Sequence, residues 1–333
     1  MGENRVRIVD IAEELGLSTA TVSNVIHGKT KKISDETVKR VQELLEKRQY
    51  IPSMAGILLA QNNSKIIGVI INNHQKYESH VLEDAFISSS LNYLSEEIEK
   101  ADYFMMVKTT EDLSRIPEFA SMWNMEGIVV IGFCEQEYKK LRNAMHIPFV
   151  VYDGYIKEPD RICNLIIDNY DGGFQMGKYF QSLGHRNVVC ISDNNTYIDN
   201  ERYMGFQEGM GRDVDIMIIP MEKEKRRKYY KENLPQILKY TAVFSVSDYY
   251  GIDLIQFLQE NGIKVPEQIS VAGFDDCPIC EMVCPSLTTI RQDGKKRAYL
   301  AVDMLQKLKN GIEQGNTIKL PVSLVKRNSV RAL

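Results

Sequence analysis

At 333 residues, 44% of them hydrophobic, the chain is long enough for a small domain plus a large buried core. No run approaches the roughly twenty apolar residues of a membrane span. The start Met1-Gly2-Glu3-Asn4-Arg5 lacks an apolar signal core, so the expectation is a cytoplasmic protein with no membrane partner. The net charge of −4 argues against a protein that coats nucleic acid, but residues 1–61 hold nine Lys/Arg against eight Asp/Glu.

Ile8 to Leu15 has a helical apolar pattern that Gly16-Leu17-Ser18 breaks. Thr19 to Ile26 then starts a second short helix with Ser18 as its N-cap. Helix, three-residue turn and helix form a helix-turn-helix, whose second helix lies in the major groove of DNA. Ala12 is small where the helices cross, and Val22 and Val25 face inward, which leaves the polar side chains for DNA. Arg5, Arg7, Lys29, Lys31 and Lys32 flank the second helix, where phosphate contacts set register. A third helix is predicted from Ser34 to Gln49, capped by Ser34, with Asp35 and Glu36 at its positive end and a Val38/Val41/Leu45 stripe. Ile51-Pro52 ends it. Ser53 to Gln61 is helix-permissive and apolar but too short to be a stable helix alone.

From Lys65 the pattern changes to buried strand runs at Ile66–Ile71, Tyr103–Val107, Gly127–Ile131, Phe149–Tyr152, Val188–Ile191, Ala242–Val246 and Ile269–Phe274. Amphipathic stretches lie between most of them, for example Leu91–Lys100, Phe174–Leu183, Tyr249–Asn261 and Arg297–Lys309. Strand alternating with helix means a doubly wound parallel α/β core with ligands at the carboxyl ends of the strands. The Lys223–Lys228 run reads as a solvated helix face. Six cysteines in a cytoplasmic chain are expected to be reduced, with Cys163 and Cys190 as core fillers. Cys277, Cys280 and Cys284 read as small buried fillers, with a redox pair or half a metal site as the alternative. No nucleophile elbow or phosphate-cradling loop is present, so no enzyme activity, cofactor or metal is expected.

These residues resemble the LacI/GalR family of bacterial transcription regulators over essentially the whole chain. In the headpiece the resemblance rests on Asp10-Ile11-Ala12, Gly16-Leu17-Ser18, Thr21-Val22-Ser23-Asn24-Val25-Ile26 and Tyr50-Ile51-Pro52. In the core it rests on Asp168 to Gly173, Leu183-Gly184-His185-Arg186, Glu201 to Phe206, Val265-Pro266 to Gly273-Phe274-Asp275-Asp276, and Pro285 to Ile290. The resemblance implies an all-α helix-turn-helix headpiece at 1–50 and a hinge helix at 51–61. It further implies a periplasmic-binding-protein-like α/β core of two doubly wound parallel-sheet subdomains, one from 62–164 and 291–320, the other from 165–290 and 321–333. It implies a repressor that binds a palindromic operator as a homodimer, gated by a small-molecule effector, a sugar or sugar derivative, between the subdomains. When bound to its operator such a regulator sits on the nucleoid. A global regulator controlled by a protein co-regulator is the alternative, and a solute-binding module a more remote one.

Carried over by position, Thr19, Ala20 and Asn24 read bases, Ser18, Thr21, Lys29 and Lys31 support them on the DNA, and Leu59 wedges into the minor groove. Arg202 and Asp275 bind the effector, joined by Asp153, Ser247, Asp248 and Asn73 at strand ends. His185 looks catalytic only in isolation and is structural in the family. The chain departs from the pattern at Arg7, where a Thr or Ser cap is usual, at Gly56 in the hinge, and at His74-Gln75-Lys76-Tyr77, where an Asn-Pro-Phe-Phe-like run is usual.

Overall fold

The computed structural model describes residues 6–51, 64–156, 162–312 and 315–333. The chain divides into two compact units between Ser64 and Lys65. Leu59, Gly56 and nearly all of the expected hinge helix lie outside the described residues, as does Arg5.

The first unit holds α1 (Ile8–Leu15), α2 (Thr19–Ile26) and α3 (Asp35–Lys47). Ile11, Ala12, Val22, Val25, Val41 and Leu44 are buried together, and Leu15, Leu17, Ile33, Leu45 and Tyr50 pack around them. Each boundary has a local cause. Asp10, in the first turn of α1, fixes the chain's entry from the acidic side of a capping box: its carboxylate accepts the Arg7 backbone N–H at 2.7 Å and pairs with the guanidinium at 3.2 Å. Gly16 ends α1 at φ +66, a left-handed conformation that glycine adopts at no steric cost. Ser18 and Ser34 cap α2 and α3 by accepting the N–H of Thr21 and Thr37 at 3.1 and 3.3 Å. Arg48 donates to Glu14 at 2.9 Å and ties the end of α3 back to α1.

The second unit contains two parallel sheets. The six-stranded sheet is built from β1 (Ile66–Asn72), β2 (Phe104–Thr110), β3 (Gly127–Ile131), β4 (Phe149–Tyr152), β5 (Cys163–Ile167) and β11 (Thr317–Leu320), in the order β11-β5-β4-β3-β1-β2. The four-stranded sheet contains β6 (Val188–Ser192), β7 (Asp215–Ile218), β8 (Ala242–Ser245) and β9 (Ser270–Ala272), in the order β7-β6-β8-β9. β10 (Thr289–Gln292) and β12 (Val322–Val325) pair antiparallel as a separate ribbon. All pairings within the two larger sheets are parallel. The chain therefore leaves the first sheet after β5, re-enters it at β11 and leaves again at Pro321. Helices fill the crossovers, among them α4 (Ala85–Lys100), α5 (Ile116–Met122), α6 (Glu135–Ala144), α7 (Asn169–Ser182), α8 (Tyr197–Met210), α9 (Lys223–Ile237), α10 (Asp248–Glu260), α11 (Ile279–Met282) and α12 (Gly294–Lys309).

The basic run Lys223–Lys228 is a solvated face only in part: Lys223, Glu224, Lys225 and Lys228 are exposed, but Arg226 and Arg227 turn inward. Arg226 is fully buried, donating Nε to Asp253 at 2.7 Å and reaching the Pro220 and Met221 carbonyls. Arg227 takes the other Asp253 oxygen at 3.0 Å. A helix that must pack against α10 buries these two guanidiniums with their partner, because leaving either unpaired would be costly. Cys163, Cys190, Cys277 and Cys280 are buried, but Cys284 is exposed and is not a core filler. His185 is buried against Phe180 and bridges Thr241 Oγ1 and the Arg331 carbonyl, both at 2.9 Å.

Candidate DNA interface and effector cleft

On α2, the burial of Val22 and Val25 fixes which residues face outward. Thr19, Ala20 and Asn24 are exposed, as are Lys29, Lys31 and Lys32 after the helix. The Lys29 N–H donates to the Asn24 carbonyl at 2.8 Å, so the chain turns directly after the helix. Ser18 and Thr21 are placed differently. Their hydroxyls bond each other at 2.8 Å while Ser18 accepts the Thr21 N–H, which makes them the start of the helix. The surface is a short helix offering a methyl, an amide and a hydroxyl, with lysines beside it.

In the core, Arg202 projects from α8, and four glycines set its backbone. A Cβ on Gly173 would fall 2.0 Å from the Arg202 carbonyl oxygen, and one on Gly205 would fall 1.9 Å from the Tyr170 carbonyl oxygen. Cβ atoms on Gly177 and Gly209, one turn further along, would fall 2.4 and 2.3 Å from facing carbonyl oxygens, so α7 and α8 cross backbone to backbone. The Arg202 side chain is buried. Its Nε donates to Asn169 Oδ1 at 2.9 Å, its Nη1 donates to the Val246 carbonyl at 2.6 Å and lies 3.5 Å from Asp275, and its guanidinium stacks 3.7 Å above the Phe274 ring.

Asp275 has φ +123, a strained conformation for a non-glycine residue, held by its N–H donating to the Ile290 carbonyl at 2.9 Å. Burial drives its carboxyl well above the usual range. Arg202 opposes that shift, and Asp248 adds to it. Gln292, at the end of β10, donates to Asp275 Oδ1 at 2.5 Å and accepts from Arg297 at 2.7 Å. Arg297 is buried and lies 3.6 Å from Asp153, over the Tyr152 ring. A continuous polar chain, Asp153–Arg297–Gln292–Asp275–Arg202, therefore runs from the first sheet to the helices around the second. Along it, Asp153 Oδ1 and Arg297 Nε have no hydrogen-bond partner, and Asn73 Oδ1, at the end of β1, is likewise unpartnered.

Ser247 and Asp248 are placed otherwise. Ser247 caps α10 by accepting the Tyr250 N–H at 3.4 Å. Asp248 is buried and turned toward the 275–280 loop, accepting the Cys277 N–H at 2.9 Å and the Thr289 hydroxyl at 2.6 Å. Burial lifts its carboxyl to about 6 against the pull of those donors. Glu78 accepts the N–H of Lys223 at 2.8 Å, at the positive end of α9. The Tyr155 and Tyr197 rings lie 5.3 Å apart, tilted by 57°. Burial pulls the Lys76 ammonium pKa down, but Tyr77, Asp193, Asp84 and Asp199 outweigh that and raise it.

Sequence reasoning missed Gln292 and Arg297. Arg297 opens a stretch read as amphipathic, and a charged residue there reads as solvent-facing. Its period-matched neighbours Ala301, Met304 and Leu305, all buried, were the signal.

Residues 7–53 match the family described as "Bacterial regulatory proteins, lacI family", and residues 178–330 match "Periplasmic binding protein-like domain". The HTH-type transcriptional repressor PurR of Edwardsiella ictaluri (strain 93-146) is 29% identical over 97% of this chain and 96% of its own length. The Lac repressor dimer bound to operator and the anti-inducer ONPF superposes with a TM-score of 0.83 at 22% identity, covering 99% of this chain and all of that one. The CelR–cellobiose complex superposes at 0.70 with 19% identity over 98% of this chain. A helix-turn-helix headpiece on a periplasmic-binding-protein-like core defines a class, the bacterial DNA-binding transcription regulators. The chain belongs to the LacI/GalR family.

Proposed function

We propose that the protein is a transcriptional repressor that binds a palindromic operator as a homodimer and is gated by a sugar or sugar derivative in the cleft between its two sheets. It works where the chromosome is, in the cytoplasm, and at the nucleoid when bound. Asn24 pairs bidentately with a base, Thr19 and the Ala20 methyl add groove contacts, and Lys29 and Lys31 hold phosphates. Ser18 and Thr21 hold the start of the reading helix, and Leu59 wedges into the minor groove. The second subunit has an apolar edge to meet: Phe104 is 59% and Val107 36% exposed on β2, the edge of the six-stranded sheet.

The observation that carries the effector reading is the polar chain from Asp153 to Arg202. It offers carboxylate acceptors and guanidinium donors suited to vicinal hydroxyls, and it passes through Gln292 where the chain crosses between the sheets. A ligand that takes Asp153 and Arg297 on one side and Asp275 and Arg202 on the other replaces these internal contacts. That shifts the angle between the halves, a two-state coupling to the headpieces. The test is a thermal-shift and operator-binding screen against sugars and sugar phosphates. The expected result is a saturable stabilisation, lost in Gln292→Ala, with a matched change in operator affinity. A screen without a hit, together with a specific protein capture, would move control to a protein co-regulator.

A further inference from the structure

The Cys277-Pro278-Ile279-Cys280 segment is left unused by the DNA and effector readings, and its surroundings are those of a ligand set. Its two thiols are three residues apart on the loop that enters α11, where the Cys280 N–H donates to the Cys277 carbonyl at 2.9 Å. Ligand atoms of Asp248, Asp275 and Cys277 all lie within 4.8 Å of one another. The Cys280 thiol sits against the same Asp248 carboxylate. Two carboxylates and the Cys277 thiol thus converge, and the Cys280 thiol, from the first turn of α11, bonds one of those carboxylates.

The free valences point the same way. Cys277 is only 6% exposed, and its Sγ has no hydrogen bond among the described residues. Both contacts to the Asp275 carboxylate, from Gln292 and Arg202, fall on Oδ1, which leaves Oδ2 for another partner. Thr289 and the Cys277 N–H orient Asp248, as the outer contacts of a ligating carboxylate do.

We propose that Asp248, Asp275, Cys277 and Cys280 form a binding site for a thiophilic divalent cation of the zinc type. Sulfur with carboxylate oxygen in a four-donor set suits zinc or cobalt, whereas magnesium and calcium prefer sites of oxygen alone. A spacing of 4.8 Å is wider than a tetrahedral zinc site has, so the loop closes slightly on the ion. The thiols bind as thiolates, and each proton goes to solvent.

The experiment uses the full chain, reduced and stripped with chelator, titrated with cobalt(II) alone. The expected result is a saturable thiolate-to-cobalt charge-transfer band in the near ultraviolet with tetrahedral visible bands, bleached by zinc and untouched by magnesium. Cys277→Ser and Cys280→Ser each reduce the charge-transfer intensity, while Cys284→Ser, at an exposed thiol, leaves it unchanged. Thr289→Val, which touches no donor sulfur, weakens cobalt binding roughly 10–100-fold. A wild-type protein with an intact circular dichroism spectrum and no charge-transfer band overturns the proposal without recourse to any variant. So does a band that survives Cys277→Ser and vanishes in Cys284→Ser. The site shares Asp275 with the effector reading, but the outcomes separate: a sugar response without a cobalt band removes only the metal, and a cobalt band without a sugar response removes only the sugar.

Discussion

The headpiece and the cleft use charge in opposite ways. Among residues 6–51 of the headpiece, every buried one is apolar, and the side chains proposed to meet DNA stand outside that core. Around the cleft the buried residues include Arg202, Arg297 and Asp248, each held by named partners. A DNA surface must be matched from outside, so its groups can stay in water until the duplex arrives. A small polar ligand has to be enclosed, so the groups that meet it are desolvated beforehand and must satisfy one another meanwhile. Headpiece substitutions should therefore change binding with little effect on folding, and cleft substitutions should change both.

The largest break in that contrast is Arg202→Ala. It leaves Asp275 buried without its cation, and losing one partner of a buried pair costs about 3–5 kcal/mol. Urea unfolding at neutral pH measures it. The deficit should shrink in acid, because Asp275 can then take a proton instead of a partner. A loss below about 1 kcal/mol at neutral pH, the range of exposed pairs, would mean that the pair is solvated. Next is Gly205→Ala, which sets a methyl against the Tyr170 carbonyl and forces α7 and α8 apart for about 1–3 kcal/mol. Because Arg202 sits on the same helix, effector response should fall with stability. An unchanged unfolding midpoint would mean that the crossing is loose.

The same contrast explains what was legible. Ile11, Val22, Val25 and Val41 follow helical spacing, Ser18, Ser34 and Gly16 punctuate it, and the three headpiece helices form where that pattern puts them. The buried strand runs β1, β3, β4, β6 and β8 were equally plain, because parallel strands covered on both faces are continuously apolar. The β10/β12 ribbon and Asp215–Ile218 carry no such run and needed the tertiary structure. Arg226 and Arg297 were unreadable for a different reason. Their burial is permitted by Asp253 in one case and by Gln292 beside Asp153 in the other, partners that helical periodicity on one segment cannot announce. The Asp248–Cys277 contact is of this kind too, joining residues 29 positions apart. The glycines at 173 and 205 were visible as part of a family pattern, but their reason, two backbones in contact, is three-dimensional.

A smaller effect comes from Asp199, whose carboxyl burial lifts to about 6 from 3.8, with Arg202 opposing and Asp193 reinforcing. Since its folded pKa lies above the unfolded value, its contribution to stability is fully present below about 3.8 and is lost as pH rises through about 6. Asp199→Asn keeps an oxygen to accept from Ser192 and Asn194 but cannot ionise. Its unfolding midpoint should exceed the wild type's at pH 7–8 and converge with it in acid. Parallel curves for the two proteins across that range would refute the buried charge.

At the other end of the scale lies Asn24→Ala, the headpiece counterpart of Arg202→Ala. Asn24 is exposed and makes no side-chain bond within the described structure, so its removal should leave the unfolding midpoint within about 0.5 kcal/mol of wild type. Operator affinity should nonetheless drop by about 1–3 kcal/mol if the amide reads a base edge. The loss should be confined to operators carrying the contacted base pair, while affinity for unrelated duplex and the slope of affinity against salt stay as they were, because the lysines proposed to meet phosphate are untouched. If affinity instead falls equally on every sequence, Asn24 meets the backbone, and the reading passes to Thr19, the Ala20 methyl and the deformability of the duplex.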